Sequence, residues 1–334
     1  MVNSSLVLDL VEAVVTVADG ATVTVRLGAG EQGQLMQTVA AWCARSGNEL
    51  LEVRDGSATI RRGHTPDPLA GLDPGQLPGT RLWMYTNFDC NLACDYCCAR
   101  SSPQTARRAL GIDRVRRLAG EAVQAGVSEL LLTGGEPFLL PDLDDLVEAC
   151  TAELPTTLLT NGMLFRGHRL ERLRRMDRDR LALQISLDSA TPDAHDSHRG
   201  TGSWARAVAG IRIAQDEGFR VRVAATLPAG QTHELQPFHS FLDSLGIAPA
   251  DQVIRALAHR GYADTGLELT IESLIPEVTV TADGVYWHPV SADDTDQLIT
   301  AEIFPLAQAI AEVRRRFSEY RARADAAAKW FPCA

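Results

Sequence analysis

The chain has 334 residues, enough for about two domains, and its net charge of −11 lacks the basic footprint of a general nucleic-acid binder. At 45% hydrophobic and 22% charged residues it has the composition of a globular protein with a large core, and no apolar stretch approaches the roughly 20 residues that span a membrane. Three of its seven cysteines fall within eight residues, which is no secreted disulfide framework. Met1–Ser5 lacks the basic flank and apolar run of a signal peptide, so a reducing cytoplasm is the expected location. Lys329 is the sole lysine, close to the C-terminus, which argues against Schiff-base chemistry.

Residues 1–63 read as a small α+β domain. Val14–Val17 and Val23–Leu27 alternate as strands around Ala18-Asp19-Gly20. Residues 33–45 have helical spacing, with Leu35, Val39 and Trp42 on one face, and Ser46-Gly47-Asn48 stops the helix. Leu50–Val53 and Ala58–Arg61 make a hairpin around Arg54-Asp55-Gly56-Ser57. The run Ala40–Val53 resembles the second half of TusA-like sulfur carriers. Those carriers hold sulfur on a Cys-Pro motif near their N-terminus, whereas no Cys precedes Cys43 here and no Pro precedes Pro66. The resemblance therefore implies an accessory fold and carries over no sulfur transfer. Residues 64–80 have the Pro- and Gly-rich composition of a linker.

From Arg81 to residue 262, strands and helices alternate. Strands are predicted at Arg81–Asn87, Glu129–Thr133, Thr156–Thr160, Leu181–Leu187, Arg220–Thr226 and Gln252–Ala256. Helices are predicted at 113–125, Leu143–Glu153, 166–176, Ser203–Glu217 with a Ser cap, and 233–245. Residues 166–180 hold seven Arg, expected on a solvated helix face with acidic partners. This alternation implies an α/β fold with a parallel sheet and right-handed crossovers, an open partial (β/α)6 barrel. Chemistry in such folds sits at the strand C-termini. A C-terminal extension, residues 263–334, reads as a hairpin of Glu277–Val280 and Val285–His288 followed by a long helix over 302–328.

Cys90, Cys94 and Cys97, in Cys90-Asn91-Leu92-Ala93-Cys94-Asp95-Tyr96-Cys97, follow the first of these strands. Three thiolates on one loop can hold three irons of a [4Fe–4S] cluster, and nothing nearby supplies a fourth. No His lies between His64 and His168, which argues against a local Cys3His zinc site. One iron is left for a small molecule. Gly134-Gly135-Glu136-Pro137 closes the second strand, where glycines let the backbone approach a ligand. Together the two motifs resemble the radical S-adenosylmethionine (SAM) superfamily, over about residues 81–262.

The resemblance implies that Cys90, Cys94 and Cys97 ligate the cluster and act in catalysis, while SAM chelates the open iron. It implies reductive SAM cleavage to a 5′-deoxyadenosyl radical, which abstracts hydrogen from a substrate, with flavodoxin or ferredoxin as the type of electron donor. The SAM contacts it implies are Tyr96, Gly134, Gly135, Glu136, Pro137, Asn161, Ser186, Asp188 and Arg199, the last as a clamp for the methionine carboxylate. Arg255, His259, Arg260 and Tyr262 lie beside the expected substrate space, and His288 is read as structural.

Thr281–Tyr286 resembles the hairpin that opens the auxiliary-cluster domain of peptide-modifying members. The cysteines expected around it are replaced, for example by Ser273 and Pro289, and no later C-x2-C run exists. Cys43, Cys98, Cys150 and Cys333 are too scattered for a second cluster, although Cys333 is a candidate hydrogen donor. The favoured substrate is a small metabolite, with a ribosomally made peptide as the alternative. A non-catalytic iron–sulfur or sulfur-relay protein is the reading from another class. Neither nucleic acid nor membrane is an expected partner.

Overall fold

A computed structural model describes residues 4–28, 32–63, 72, 74–228 and 235–330. It divides into two compact units, Met1–Gly71 with Ser318–Ala334, and Leu72–Phe317.

The first unit contains α1 (Ser4–Val15), β1 (Thr22–Arg26), α2 (Gln32–Ser46), β2 (Glu49–Arg54) and β3 (Ser57–Arg61). The strands form an antiparallel sheet in the order β1-β3-β2. Leu6, Leu10 and Val14 recur every four residues and bury one stripe of α1 among Val25, Val39, Trp42, Cys43 and Ile60. This corrects the expected strand at Val14–Val17. The β-branched run favours a strand locally, but burial of the helical stripe overrides that propensity. The chain leaves the helix at Thr16, whose hydroxyl donates to the Ala13 carbonyl at 2.7 Å. Most of the expected linker, 64–71 and 73, lies outside the described residues.

The second unit is built on six parallel strands paired in chain order: β4 (Arg81–Tyr85), β5 (Glu129–Thr133), β6 (Thr156–Thr160), β7 (Leu181–Ser186), β8 (Arg220–Leu227) and β9 (Gln252–Ala256). Helices α3 (Ile112–Gln124), α4 (Leu143–Thr151), α5 (His168–Arg175), α6 (Pro192–Arg199), α7 (Ser203–Asp216) and α8 (Leu235–Ser244) lie between them in the chain. The strands read as nearly unbroken apolar runs, such as Leu130-Leu131-Leu132, as expected where both faces of a parallel sheet are covered. The apolar run stops at the strand ends, where Thr86, Asn87, Thr133, Thr160, Asn161 and Asp188 are buried polar residues. The site begins there.

Among the described residues the sheet is open and nine-stranded rather than a closed barrel. Its other edge comes from the end of the chain. β10 (Thr279–Thr281) pairs parallel with β4, and β11 (Gly284–Tyr286) and β12 (Leu298–Thr300) continue antiparallel. The hairpin of the extension is thus continuous with the core sheet. The long helix α9 spans Leu306–Trp330.

Three local expectations change. Helix α6 stands where a loop was expected, and its signal is Pro192 at the first helical position. The Ser cap of α7 is not formed: Ser203 is inside the helix and its hydroxyl donates to Asp196 at 3.0 Å. Asp196 also accepts the N–H groups of Gly202 (2.6 Å) and Trp204 (2.8 Å), capping α7 from the preceding helix. The arginines around α5 do more than face solvent. Arg169 donates to the Phe138 carbonyl at 2.8 Å and Arg172 to Leu140 at 2.9 Å, tying α5 to the turn after β5.

Candidate active site

The cysteine loop is shaped by its neighbour. Beyond β4, the Gly135 N–H donates to the Asn87 carbonyl and the Glu136 N–H to that of Asp89, both at 3.0 Å. Asn87 returns a side-chain N–H to the Glu136 carbonyl at 3.1 Å. A Cβ on Gly134 would stand 2.4 Å from Asn87 Oδ1, and one on Gly135 would stand 2.2 Å from the Asp89 carbonyl oxygen. The two glycines are needed because any side chain would push these loops apart.

Glu136 is buried and points into the protein. Its carboxylate accepts from the Thr160 hydroxyl (2.7 Å), the Asn161 N–H (2.8 Å) and the Phe138 N–H (3.0 Å). Burial pushes its carboxyl above the usual range despite these three donors. Glu136 and Pro137, expected to meet the cofactor, have structural partners here. Neither lines the cavity, because the carboxylate fixes the start of the next strand end and Pro137 is buried in the turn that follows.

Cys90, Cys94 and Cys97 line one cavity of about 370 Å3, together with Tyr96, Gly134, Gly135, Asn161, Ser186 and Arg199. The Leu92 N–H points at Cys90 Sγ and the Ser101 N–H at Cys97 Sγ, each at 3.4 Å. Burial pushes the Cys90 thiol up to about 12 and that of Cys94 to about 11. They become ligands only when iron displaces their protons. Among the described residues, no three His, Cys, Asp or Glu side chains converge on one ion position. Three thiolates on one loop are the donor type that holds separate irons of a cluster.

Asp188 organises a second wall without lining it. The Tyr96 hydroxyl donates to its carboxylate, as do Arg199 Nε (2.5 Å) and the Thr226 N–H (3.0 Å). Burial opposes the charge on Asp188, but Arg199, Tyr96 and Thr226 together hold its carboxyl below the usual range. Asp188, expected as a cofactor contact, supports two residues that face the cavity, Tyr96 and Arg199. The Asp188 N–H donates to His195 Nδ1 at 3.1 Å, and burial lowers His195 to about 4, so the imidazole is neutral. His198 and Asp95 pair at 2.9 Å, joining α6 to the cysteine loop. Asn161 joins it too, donating to the Asn91 side chain at 2.9 Å.

The rest of the wall comes from β9 and the segment after β11: Arg255, Ala256, Leu257, Ala258, His288, Pro289 and Val290. Cys98 and Tyr85 line the same space. The other residues weighed after β9 are turned to structural partners. Arg260 pairs with Asp294 at 3.2 Å, His259 with Glu268, and the Tyr262 hydroxyl donates to the Arg100 carbonyl. His288, read as structural, does accept the Val290 N–H at 3.2 Å, but it also faces the cavity. Cys43 and Cys150 are buried in their units, and Cys333 lies outside the described residues.

Residues 84–245 match the radical SAM superfamily. The match spans just under half of the chain, and over it the sequence is similar to that of radical SAM proteins. Radical SAM proteins use a [4Fe–4S] cluster and SAM, and the donor set above fits both. Among curated relatives, the antilisterial bacteriocin subtilosin biosynthesis protein AlbA of Bacillus subtilis is 35% identical over 140 residues, 41% of this chain and 31% of AlbA. The AdoMet-dependent heme synthase of Methanosarcina barkeri is 30% identical over 159 residues, 47% of this chain and 45% of the synthase. The chain thus spans less than half the length of either relative. A solved structure, native anSMEcpe with bound AdoMet, superposes with a TM-score of 0.54 at 12% identity, over 71% of this chain and 82% of that one. That similarity is one of fold.

Among the described residues, no helix is long and apolar enough to cross a membrane.

Proposed function

We propose that this chain is a radical SAM enzyme that activates a C–H bond of a small metabolite. The observation that carries this reading is the convergence of Cys90, Cys94, Cys97, Gly134 and Gly135 on one cavity at the C-terminal ends of parallel strands. When bound, the cluster and SAM supply reductive cleavage of the sulfonium, yielding methionine and a 5′-deoxyadenosyl radical that takes hydrogen from the substrate.

The chain's own residues hold and shield that chemistry. Cys90, Cys94 and Cys97 would ligate three irons. The Gly134-Gly135 backbone, Asn161, Ser186 and Thr226 offer polar groups at the strand ends for the methionine and ribose of SAM. Arg199, fixed by Asp188 and stacked over Tyr96 at 5.5 Å, would meet the methionine carboxylate. Leu92, Ala99 and Leu159 make the lining partly apolar, which limits water near a reactive intermediate. An external one-electron donor of the flavodoxin or ferredoxin type would reduce the cluster.

The small-metabolite reading is supported by Ser273 and Pro289, which stand where a peptide-modifying member would place auxiliary-cluster cysteines. Maturation of a ribosomal peptide is the second reading, supported by the match to a bacteriocin biosynthesis protein. The first unit fits an accessory role. Its Ala40–Val53 run is similar to TusA-like carriers, but burial pushes the Cys43 thiol up to about 11, which argues against sulfur relay. The protein is proposed to work in the reducing cytoplasm.

Anaerobic reconstitution with iron and sulfide, reduction, and addition of SAM tests the proposal. The expected products are 5′-deoxyadenosine and methionine. Their absence from a preparation whose cluster is intact by spectroscopy would overturn the enzymatic reading.

A further inference from the structure

Arg255, the penultimate residue of β9, lines the cavity and is exposed. It makes no ion pair with an Asp or Glu among the described residues. The groups that face it are Cys98, Tyr85, Arg222 and Arg81, with His288 close by. Both neighbouring arginines have partners: Arg81 pairs with Glu277, and Arg222 lies 3.8 Å from Asp251. Arg199 is paired with Asp188. Among the described residues, no Asp or Glu lines the cavity.

A guanidinium exposed on a partly apolar cavity wall, with no carboxylate beside it, is free to receive an anion that enters the cavity. A protein with net charge −11 has carboxylates to place beside it, yet none is there. The geometry points to a substrate anion as the missing partner. We infer that Arg255 anchors a carboxylate of the substrate, in a subsite formed with His288 and walled by Leu257, Leu269 and Val290. This deepens the proposed function and rests on it.

The charge count selects the chemistry. Arg255 is the single cation of this part of the wall that lacks an anionic partner among the described residues. Di- or triphosphates call for several cations. One planar fork beside an apolar wall suits a single carboxylate on an apolar body, held by two parallel N–H···O bonds. The neutral His288 has Nδ1 engaged by Val290, leaving Nε2 as a further polar atom for the same substrate. A free organic acid and the carboxylate of a peptide share this chemistry.

The test uses the full chain, cluster-loaded and SAM-bound, under anaerobic conditions. Binding of N-acetyl-leucine and of N-acetyl-leucinamide is measured by calorimetry or ligand-observed NMR. A tripeptide, Ala-Leu-Leu, is compared as free acid and as amide. The expected result is that the acid of at least one pair binds tenfold or more above its amide, since a charge-assisted contact is worth about that factor. Discrimination in the first pair identifies a small acid, and discrimination in the second alone identifies a peptide carboxylate.

Arg255→Gln should remove the preference. Arg255→Lys keeps the charge and should retain part of the preference. Equal binding of acid and amide in both pairs overturns the inference. So does a preference that survives Arg255→Gln, or a tenfold loss of SAM affinity or a shifted cluster potential in that variant, which would assign Arg255 to the cofactor. Because binding is read without turnover, these outcomes are separate from failure of wild-type SAM cleavage, which would strike the proposed function itself.

Discussion

The two sides of the cavity differ in how completely their polar groups are satisfied. On the side of β4 to β7, Glu136 receives three hydrogen bonds, Asp188 receives three kinds of donor, and Asn161 is joined to Asn91. On the side of β9 and the segment after β11, Arg255 has no carboxylate partner among the described residues and His288 uses one nitrogen. A constant ligand rewards a wall fixed in advance, since preorganised groups lose little on binding. A wall with open valences belongs to the ligand that completes it. The molecule thus separates a finished half from an unfinished half.

The largest expected effect is on the finished half. Cys94→Ala should abolish the iron–sulfur chromophore and formation of 5′-deoxyadenosine, checked by absorbance after reconstitution and by product analysis. A cluster that survives the change removes Cys94 from the ligand set.

Asp188→Asn should come next. It leaves Arg199 without its counter-charge in a site that is largely desolvated, at a cost of about 3 kcal/mol by urea denaturation. SAM affinity should fall with it, because Tyr96 and Arg199 lose their shared support.

A smaller effect is expected for Glu136→Gln, about 1–3 kcal/mol, since the amide nitrogen would face an N–H or hydroxyl donor. Its pH dependence should be opposite in sign to that of Asp188. Asp188, with a lowered folded value, contributes stability that is present above the ordinary Asp value of about 3.9 and is lost as pH falls below it. Glu136, with a raised folded value, favours folding most below the ordinary Glu value of about 4.3. That contribution fades as pH rises through its folded value. Urea titrations of the two variants across the acid range should each remove one of these slopes.

Least change is expected on the unfinished half. Arg255→Gln should alter stability by no more than about 0.5 kcal/mol, or raise it, because no partner is orphaned. A large loss would show that the wall is structurally complete after all and would erase the contrast between the two sides.

Much of the finished half was legible in the chain. The parallel strands announce themselves because both faces are covered, which makes runs such as Leu130-Leu131-Leu132 continuous. The cysteine loop and Gly134-Gly135 are local patterns. What escaped notice depends on distant partners. Glu136 is turned inward by Thr160 and Asn161, 24 and 25 positions away, and Asp188 by Tyr96, 92 positions away. A carboxylate reads the same in sequence whether it meets a ligand or a neighbour. Helix α1 was missed for a related reason, since its stripe is helical only when set against the sheet it covers. Helix α6 had its Pro192 signal, but it is short and polar, with one buried residue.

The pairing of β10 with β4 has a consequence for the order of assembly. Trp83, on β4, donates its indole N–H to Glu277 at 3.0 Å across 194 positions of sequence. Contacts of that separation form late, since a long loop must close first. During synthesis, the loop of Cys90, Cys94 and Cys97 is therefore made well before His288, Pro289 and Val290. The strand that completes the sheet also leads into a wall of the cavity, so that wall is among the last parts to form.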